Sequence, residues 1–130
     1  MGSLSVLVVD DSVMVRDRLV ALLRDLPGVD VVGTAGDVPG GLAEALRLAP
    51  DAVVLDIRMP GGDGVMILKD IKARAPETVV VILTNYAGAV HRSRCLAASA
   101  DHFLDKSADL DRLAEVFGGL AARASDHQSG

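Results

Sequence analysis

Aromatic residues are almost missing from this 130-residue chain: they make up 2% of it, and tryptophan is absent. Half of the residues are hydrophobic, so a buried core has to be built from valine, leucine, isoleucine and alanine. The length suits one domain and is enough to bury such a core. We therefore expect a single domain over 1–124, followed by a polar, flexible tail over 125–130.

The chain also lacks the features that mark several classes of partner. Cys95 is its one cysteine, which excludes an intramolecular disulfide and fits a reducing compartment. The net charge is −5 and no basic stripe with interleaved aromatics occurs, which argues against direct contact with nucleic acid or an anionic membrane. No apolar run is long enough to span a bilayer, and the N-terminus does not resemble a signal peptide. We expect a cytoplasmic location.

What the chain does contain is an alternation of short β-branched runs and longer stretches with helical spacing. The predicted strands, β1 to β5, are Leu4–Val9, Val29–Thr34, Ala52–Ile57, Thr78–Leu83 and His102–Leu104. The predicted helices, α1 to α5, are Val13–Leu26, Leu42–Leu48, Val65–Ala75, Ala87–Ala98 and Asp109–Ala124. Strands that alternate with helices predict an α/β fold with a doubly wound parallel sheet and helices on both faces.

Reactive side chains follow four of the five predicted strands, and in such a sheet sites form at the carboxyl ends of the strands. Asp10-Asp11 follows β1, Asp56 ends β3, Thr84 follows β4, and Asp105-Lys106 follows β5. Three carboxylates at one edge predict a divalent-metal site, because Mg²⁺ prefers oxygen ligands and offsets the repulsion between acids. We expect one of the three acids to have a further role.

This set of residues resembles the receiver domain of bacterial two-component response regulators. The resemblance extends from about Leu4 to about Leu120. It implies a flavodoxin-like, five-stranded parallel sheet in the order 2-1-3-4-5, with the receiver domain covering 1–124. The residues that carry it are Val8-Val9-Asp10-Asp11-Ser12, Leu55-Asp56-Ile57-Arg58-Met59-Pro60, Gly64, Leu83-Thr84 and Phe103-Leu104-Asp105-Lys106.

The resemblance implies a phosphoacceptor and a metal site. Asp56 would accept the phosphoryl group, since a carboxylate is a competent nucleophile that yields a labile acyl phosphate. Mg²⁺ would be bound by Asp10, Asp11, Asp56 and the backbone carbonyl of Arg58, with Mn²⁺ as an alternative ion. The phosphoryl donor would be a sensor histidine kinase or a phosphotransfer protein. Such a domain would catalyse only its own phosphorylation and dephosphorylation.

The resemblance also assigns roles around the phosphoryl group. Thr84 and Lys106 would contact it, and Thr84 together with Phe103 would form the switch. Arg58 and Tyr86, each two residues past a site residue, would tune dephosphorylation, and their bulk predicts a slow reaction. The face formed by α4, β5 and α5 would change on phosphorylation, with homodimerisation there left open. The candidate residues of that face are Val90, Arg94, Phe103, Arg112 and Glu115.

Several alternatives remain open at this stage. The chain could be the receiver part of a DNA-binding transcriptional regulator, or a stand-alone shuttle or scaffold. A hydrolase of the aspartyl-phosphate class usually needs a second acid two residues after the nucleophile, where Arg58 stands here, and a flavin site would need a phosphate-cradling loop after β1. Many receivers have proline after the lysine, in a cis peptide; with Ser107 there, we expect a trans or a strained bond.

Overall fold

The computed structural model describes the backbone of residues 3–129 and the side chains of residues 3–124. Five parallel strands form one sheet in the order β2-β1-β3-β4-β5, which confirms the predicted order. The strands are β1 Leu4–Val9, β2 Val29–Ala35, β3 Ala52–Leu55, β4 Val79–Thr84 and β5 His102–Asp105. The helices are α1 Val13–Arg24, α2 Val38–Leu48, α3 Gly64–Arg74, α4 Ala89–Ala97 and α5 Leu110–Ser129.

The central strands are buried on both faces, as their continuous apolar sequences predict. Alternate side chains of a strand point to opposite faces, and this divides the core in two. Leu7, Val53 and Ile82 belong to the cluster that includes residues of α2, α3 and α4. Val8 and Val54 belong to the cluster that includes residues of α1 and α5. The fold is therefore doubly wound, with aliphatic layers above and below one sheet.

Some boundaries differ from the sequence prediction. Helix α2 begins at Val38 rather than Leu42, because Asp37 caps it by accepting a hydrogen bond from the Gly40 amide and proline is tolerated in a first turn. Strand β3 ends at Leu55, so Asp56 lies just beyond the ladder. Helix α5 extends to Ser129, so part of the expected tail is helical. The flexibility of 125–130 and the domain limit at 124 stay predictions.

A two-stranded hairpin after Asp56 was not predicted. Arg58–Met59 pairs antiparallel with Gly62–Asp63, and the turn contains Gly61 at φ 86°. This positive φ is a conformation that glycine adopts without strain. Asp63 then caps α3 by accepting a hydrogen bond from the Val65 amide at 2.9 Å.

Within residues 3–129, no helix is long and apolar enough to cross a membrane.

Candidate phosphoacceptor and metal site

Neighbouring strands bring the first two acids together. Strands β1 and β3 are paired in parallel, with Val9 opposite Leu55. The amide of Asp56, one residue beyond the end of β3, donates a hydrogen bond at 3.1 Å to the carbonyl of Val9, the last residue of β1. Asp10 and Asp56 therefore leave the sheet side by side at its carboxyl edge, where the sequence places a site.

Three carboxylates form a cluster at this edge. Asp10, Asp11 and Asp56 each offer an oxygen atom, and these atoms lie within 4.8 Å of one another. Asp10 and Asp56 are buried, whereas Asp11 is exposed. Backbone amides hold the two buried acids: the Ser12 amide donates to Asp10 Oδ1 at 2.9 Å, and the Ile57 amide donates to Asp56 Oδ1 at 2.7 Å. One oxygen of each buried carboxylate is thus fixed by the chain itself.

Lys106, which directly follows strand β5, supplies the counter-charge. Its ammonium lies 2.6 Å from Asp10 Oδ2 and 2.8 Å from Asp56 Oδ2. Burial of the ammonium is the largest influence on the pKa of Lys106 and lowers it, but the hydrogen bonds to Asp10 and Asp56 and their negative charges outweigh burial. The pKa of Lys106 is therefore raised from its ordinary value. The side chain is charged at neutral pH and bridges the two acids.

The donor set fits a magnesium ion. Mg²⁺ is bound in proteins through a small number of carboxylate oxygens together with water and phosphate oxygens. Here three carboxylates meet one ammonium, so a divalent cation would offset the remaining negative charge. The residues that would hold it are Asp10, Asp11 and Asp56. Arg58 lines the same cleft.

Larger side chains border the cleft, which has a volume of about 510 Å³. The guanidinium carbon of Arg58 lies 4.5 Å from the centroid of the Tyr86 ring, a cation–π contact. Thr84 is fully buried, and its Oγ1 accepts a hydrogen bond from the Tyr86 amide at 3.1 Å. Thr84 is therefore linked directly to the loop that carries Tyr86. Lys106, Arg58 and Tyr86 line this cleft, whereas Thr84 lies buried behind its lining residues, and the roles predicted for these four residues stay predictions.

The predicted output residues occupy different environments. Val90, Arg112 and Glu115 are exposed, whereas Phe103 is buried, with only 8% of its surface accessible. Arg94 forms an ion pair with Asp63 at 2.7 Å, so its guanidinium is directed toward the hairpin and the start of α3. Phe103 therefore offers little surface to a partner in this conformation.

A close approach explains Gly64. A Cβ atom at this position would lie 2.0 Å from the main-chain oxygen of Asp56. The Gly64 amide donates to the Ile57 carbonyl at 2.5 Å, which closes the hairpin loop against the end of β3. The absence of a side chain thus allows α3 to begin directly beside the candidate phosphoacceptor.

Two features of the site were not predicted from the sequence. Arg16 has the position of a solvated residue on the polar side of α1, but its Nη1 donates to the Asp10 carbonyl at 2.8 Å. The second is at Ser107, whose amide and hydroxyl both donate to Asp105 Oδ1, at 2.8 Å and 2.6 Å; the Lys106–Ser107 peptide itself is trans, one of the two outcomes expected for it. The Arg16 contact depends on how the turn between β1 and α1 places the first turns of the helix, whereas the Ser107 contacts close a local turn over two positions.

Known proteins share this fold and sequence pattern. The family described as the response regulator receiver domain matches residues 6–117. A protein-glutamate methylesterase/protein-glutamine glutaminase of Anaeromyxobacter dehalogenans is 56% identical over 80 residues, which cover 62% of this chain and 23% of that protein. The DNA-binding transcriptional activator DevR/DosR of Mycobacterium tuberculosis is 38% identical over 101 residues, covering 78% and 46% of the two chains.

A solved structure agrees with the sequence matches. The response regulator domain of Thermotoga maritima CheB has a TM-score of 0.80 and 30% identity, with 95% of this chain and 97% of that chain covered. The sequence matches given above cover less than half of each curated relative.

The parallel sheet with three clustered acids and a lysine at its carboxyl edge defines a class of α/β domain with an acidic site that could hold a cation. This chain belongs to the response regulator receiver domain family. It is thus a receiver domain of the kind found in two-component signalling proteins, and its flavodoxin-like fold is confirmed.

Proposed function

We propose that Asp56 accepts a phosphoryl group, in a Mg²⁺-dependent step, from a sensor histidine kinase or a phosphotransfer protein. The observation that carries this proposal is the position of the Asp56 carboxylate. It is buried, it lies within 4.8 Å of carboxylate oxygens of Asp10 and Asp11, and it is 2.8 Å from the ammonium of Lys106. A nucleophile, a set of metal ligands and a counter-charge thus meet at one point.

Each residue contributes positioning or charge, which is most of what phosphoryl transfer requires. An oxygen of Asp56 forms the new bond to phosphorus, while the bond from phosphorus to the donor's histidine nitrogen breaks and its electron pair stays on that nitrogen. The Lys106 ammonium already contacts the Asp56 carboxylate, so it can pair with the phosphoryl oxygens once the phosphoryl group is attached there. A bound Mg²⁺ would neutralise charge on the same oxygens.

Thr84 would transmit the phosphorylation of Asp56 to the surface of the domain. Its hydroxyl oxygen accepts from the Tyr86 amide, so attraction of Thr84 to new phosphoryl oxygens would displace the loop before α4. Phe103 is buried beside this region and would repack, which biases the face of α4, β5 and α5 between two packings. Homodimerisation through that face is left open, and we propose a cytoplasmic location.

Phosphorylation by a small donor tests the acceptor. The protein would be incubated with acetyl phosphate and Mg²⁺ and its intact mass measured, with parallel samples in EDTA. We expect a single phosphoryl addition that requires Mg²⁺ and is abolished in Asp56→Asn. The matched control is Asp30→Asn, which changes an exposed aspartate on β2 and should leave the addition unchanged. Addition that persists in Asp56→Asn would place the acceptor elsewhere.

The output of the whole protein is a second question. The 56% identity to a methylesterase favours a receiver that regulates an enzyme of that class, and the match to DevR/DosR supports the DNA-binding alternative. The coding sequence beyond residue 130 discriminates between them. An in-frame methylesterase domain supports the first, an in-frame DNA-binding domain supports the second, and a stop codon supports a stand-alone receiver.

A further inference from the structure

The Arg16 guanidinium contacts the peptide that joins two acids of the site. Its Nη1 donates to the main-chain oxygen of Asp10 at 2.8 Å, and this carbonyl belongs to the bond between Asp10 and Asp11. Strand β1 ends at Val9, so the carbonyl lies beyond the sheet pairing. Within residues 3–124, Arg16 is the donor that the structure provides for it.

This peptide matters because Asp11 has little else to orient it. The Asp10 carboxylate is fixed on both oxygens, by the Ser12 amide and the Lys106 ammonium. The Asp11 side chain is exposed and has no hydrogen-bond partner among the described side chains and backbone of residues 3–124. Its direction therefore depends on the backbone that precedes it, and Arg16 restrains that backbone.

The end of strand β2 leaves space for the guanidinium. A Cβ atom on Gly36 would lie 2.6 Å from Arg16 Nη1 and 3.7 Å from the Asp10 carbonyl oxygen. The preceding residue, Ala35, accepts a hydrogen bond from the Asp10 amide at 3.0 Å. An added methyl group would thus meet the end of a flexible side chain rather than the backbone, and the guanidinium would have to move.

We propose that Arg16 is a positioning residue of the metal site, which acts by holding the Asp10–Asp11 peptide in the orientation that aims Asp11 at the cation, in space that Gly36 leaves open. The inference rests on the proposed function, because it concerns the same Mg²⁺ site. It assigns a role to a residue outside the ligand set. Residues that support ligands in this way commonly change metal affinity when they are replaced.

A purely electrostatic role for Arg16 predicts the opposite sign. A positive charge near the acids repels a cation, so removing it would strengthen Mg²⁺ binding. Removing a positioning contact would weaken binding instead. Gly36→Ala separates the two effects further, because it displaces the guanidinium and leaves the charge on the protein. The direction of the change in Mg²⁺ affinity therefore discriminates between them.

The test measures the Mg²⁺ dissociation constant by titration calorimetry, with the Tm in EDTA as a check on the fold. We expect Arg16→Met and Gly36→Ala each to weaken Mg²⁺ binding about tenfold, the lower end of such effects. Arg16→Lys should restore part of the affinity, since an ammonium can also donate to the carbonyl. The matched control is Arg18→Met, which removes an exposed charge from the same helix and should bind as the unsubstituted protein does.

The double variant tests whether Gly36 and Arg16 act on the same contact. If Gly36→Ala acts only through Arg16, combining it with Arg16→Met should weaken Mg²⁺ binding no further than either change alone. Unchanged or tighter binding by Arg16→Met, with normal binding by the unsubstituted protein, would overturn this inference and leave the proposed function intact. Absence of Mg²⁺ binding by the unsubstituted protein would overturn the proposed function as well.

Discussion

At the scale of single residues, the chemistry of Asp56 is determined by what surrounds its carboxylate. One oxygen accepts from the Ile57 amide and the other from the Lys106 ammonium. Of these two partners, Lys106 is the one that carries charge.

The raised pKa of Lys106 makes its contribution to stability dependent on pH. The pKa of Lys106 is higher in the folded state than its unfolded value of 10.5. The stabilisation that results is therefore fully present below pH 10.5 and is lost as the pH rises through the folded-state pKa. We expect Lys106→Met to be less stable than the unsubstituted protein at pH 8, with a difference that shrinks above about pH 10.5. Urea unfolding in EDTA measures it, and a difference that grew with pH would contradict the prediction.

Arg58 and Tyr86 are expected to slow the loss of the phosphoryl group. Their stacked side chains border the cleft, so they would restrict the approach of water to an acyl phosphate on Asp56. We predict that Arg58→Asn and Tyr86→Ala each shorten the phosphoryl lifetime by about tenfold, a change of ~1.4 kcal/mol in the barrier. Release of inorganic phosphate measures the rate, and Met66→Ala, on the exposed side of α3, is the control. A lifetime of seconds that neither variant alters would contradict the prediction.

Gly64 should tolerate no side chain. The Cβ of alanine would overlap the Asp56 main-chain oxygen, and both atoms belong to or are fixed on backbone, so the chain itself would have to shift. We expect Gly64→Ala to lower the free energy of unfolding by at least about 2 kcal/mol. Gly118→Ala, in α5, meets nothing within 4 Å and should raise it by about 0.5–1 kcal/mol. Chemical denaturation that showed equal effects would contradict the close approach.

At the scale of elements, Lys72 links three segments of the chain at the end of the sheet opposite the site. The ammonium of Lys72, on α3, donates to the carbonyls of Pro76 and Thr78 and to Asp101 Oδ2, at 3.2, 2.6 and 2.8 Å. The same Asp101 oxygen accepts from the Val80 amide. One side chain thus connects the end of α3, the start of β4 and the turn before β5.

Removal of the Lys72 ammonium should lower the free energy of unfolding more than most substitutions near the surface do. Lys72→Met would leave a carboxylate and two carbonyls without their shared donor, and we expect a decrease of about 2 kcal/mol in the free energy of unfolding. Lys69→Met, on the same helix but exposed, should change it by less than about 0.5 kcal/mol. Equal midpoints for the two variants in urea would show that the contacts of Lys72 do not stabilise the fold.

At the scale of the whole molecule, the site lies at the carboxyl edge of the sheet that separates two aliphatic cores. One core includes residues of α2, α3 and α4, and the other includes residues of α1 and α5. The acid cluster caps the carboxyl edge between them, with three like charges held within 4.8 Å. Cation binding at that edge would therefore be coupled to the stability of the whole fold.

Mg²⁺ should stabilise the folded protein. At a concentration one hundred times the dissociation constant, the expected gain is about 2.7 kcal/mol. Asp11→Asn should lose most of this gain and, in EDTA, should be at least as stable as the unsubstituted protein, because it removes one of three repelling charges. Asp30→Asn should keep the full gain. Thermal unfolding with and without Mg²⁺ measures both effects, and an unsubstituted protein indifferent to Mg²⁺ would contradict the metal site.

The sequence by itself determined the alternation of strands and helices, the aliphatic core and the identity of the strand-end residues, because local periodicity records which side chains are buried. The strand order came from the resemblance, since periodicity does not encode which strands are neighbours. Only the tertiary structure decided that Lys106 reaches Asp10, 96 positions earlier, and that Arg16 turns back to the Asp10 carbonyl. The Lys106 contact depends on the order of the strands, and the Arg16 contact depends on the turn between β1 and α1. The local periodicity of the sequence specifies neither.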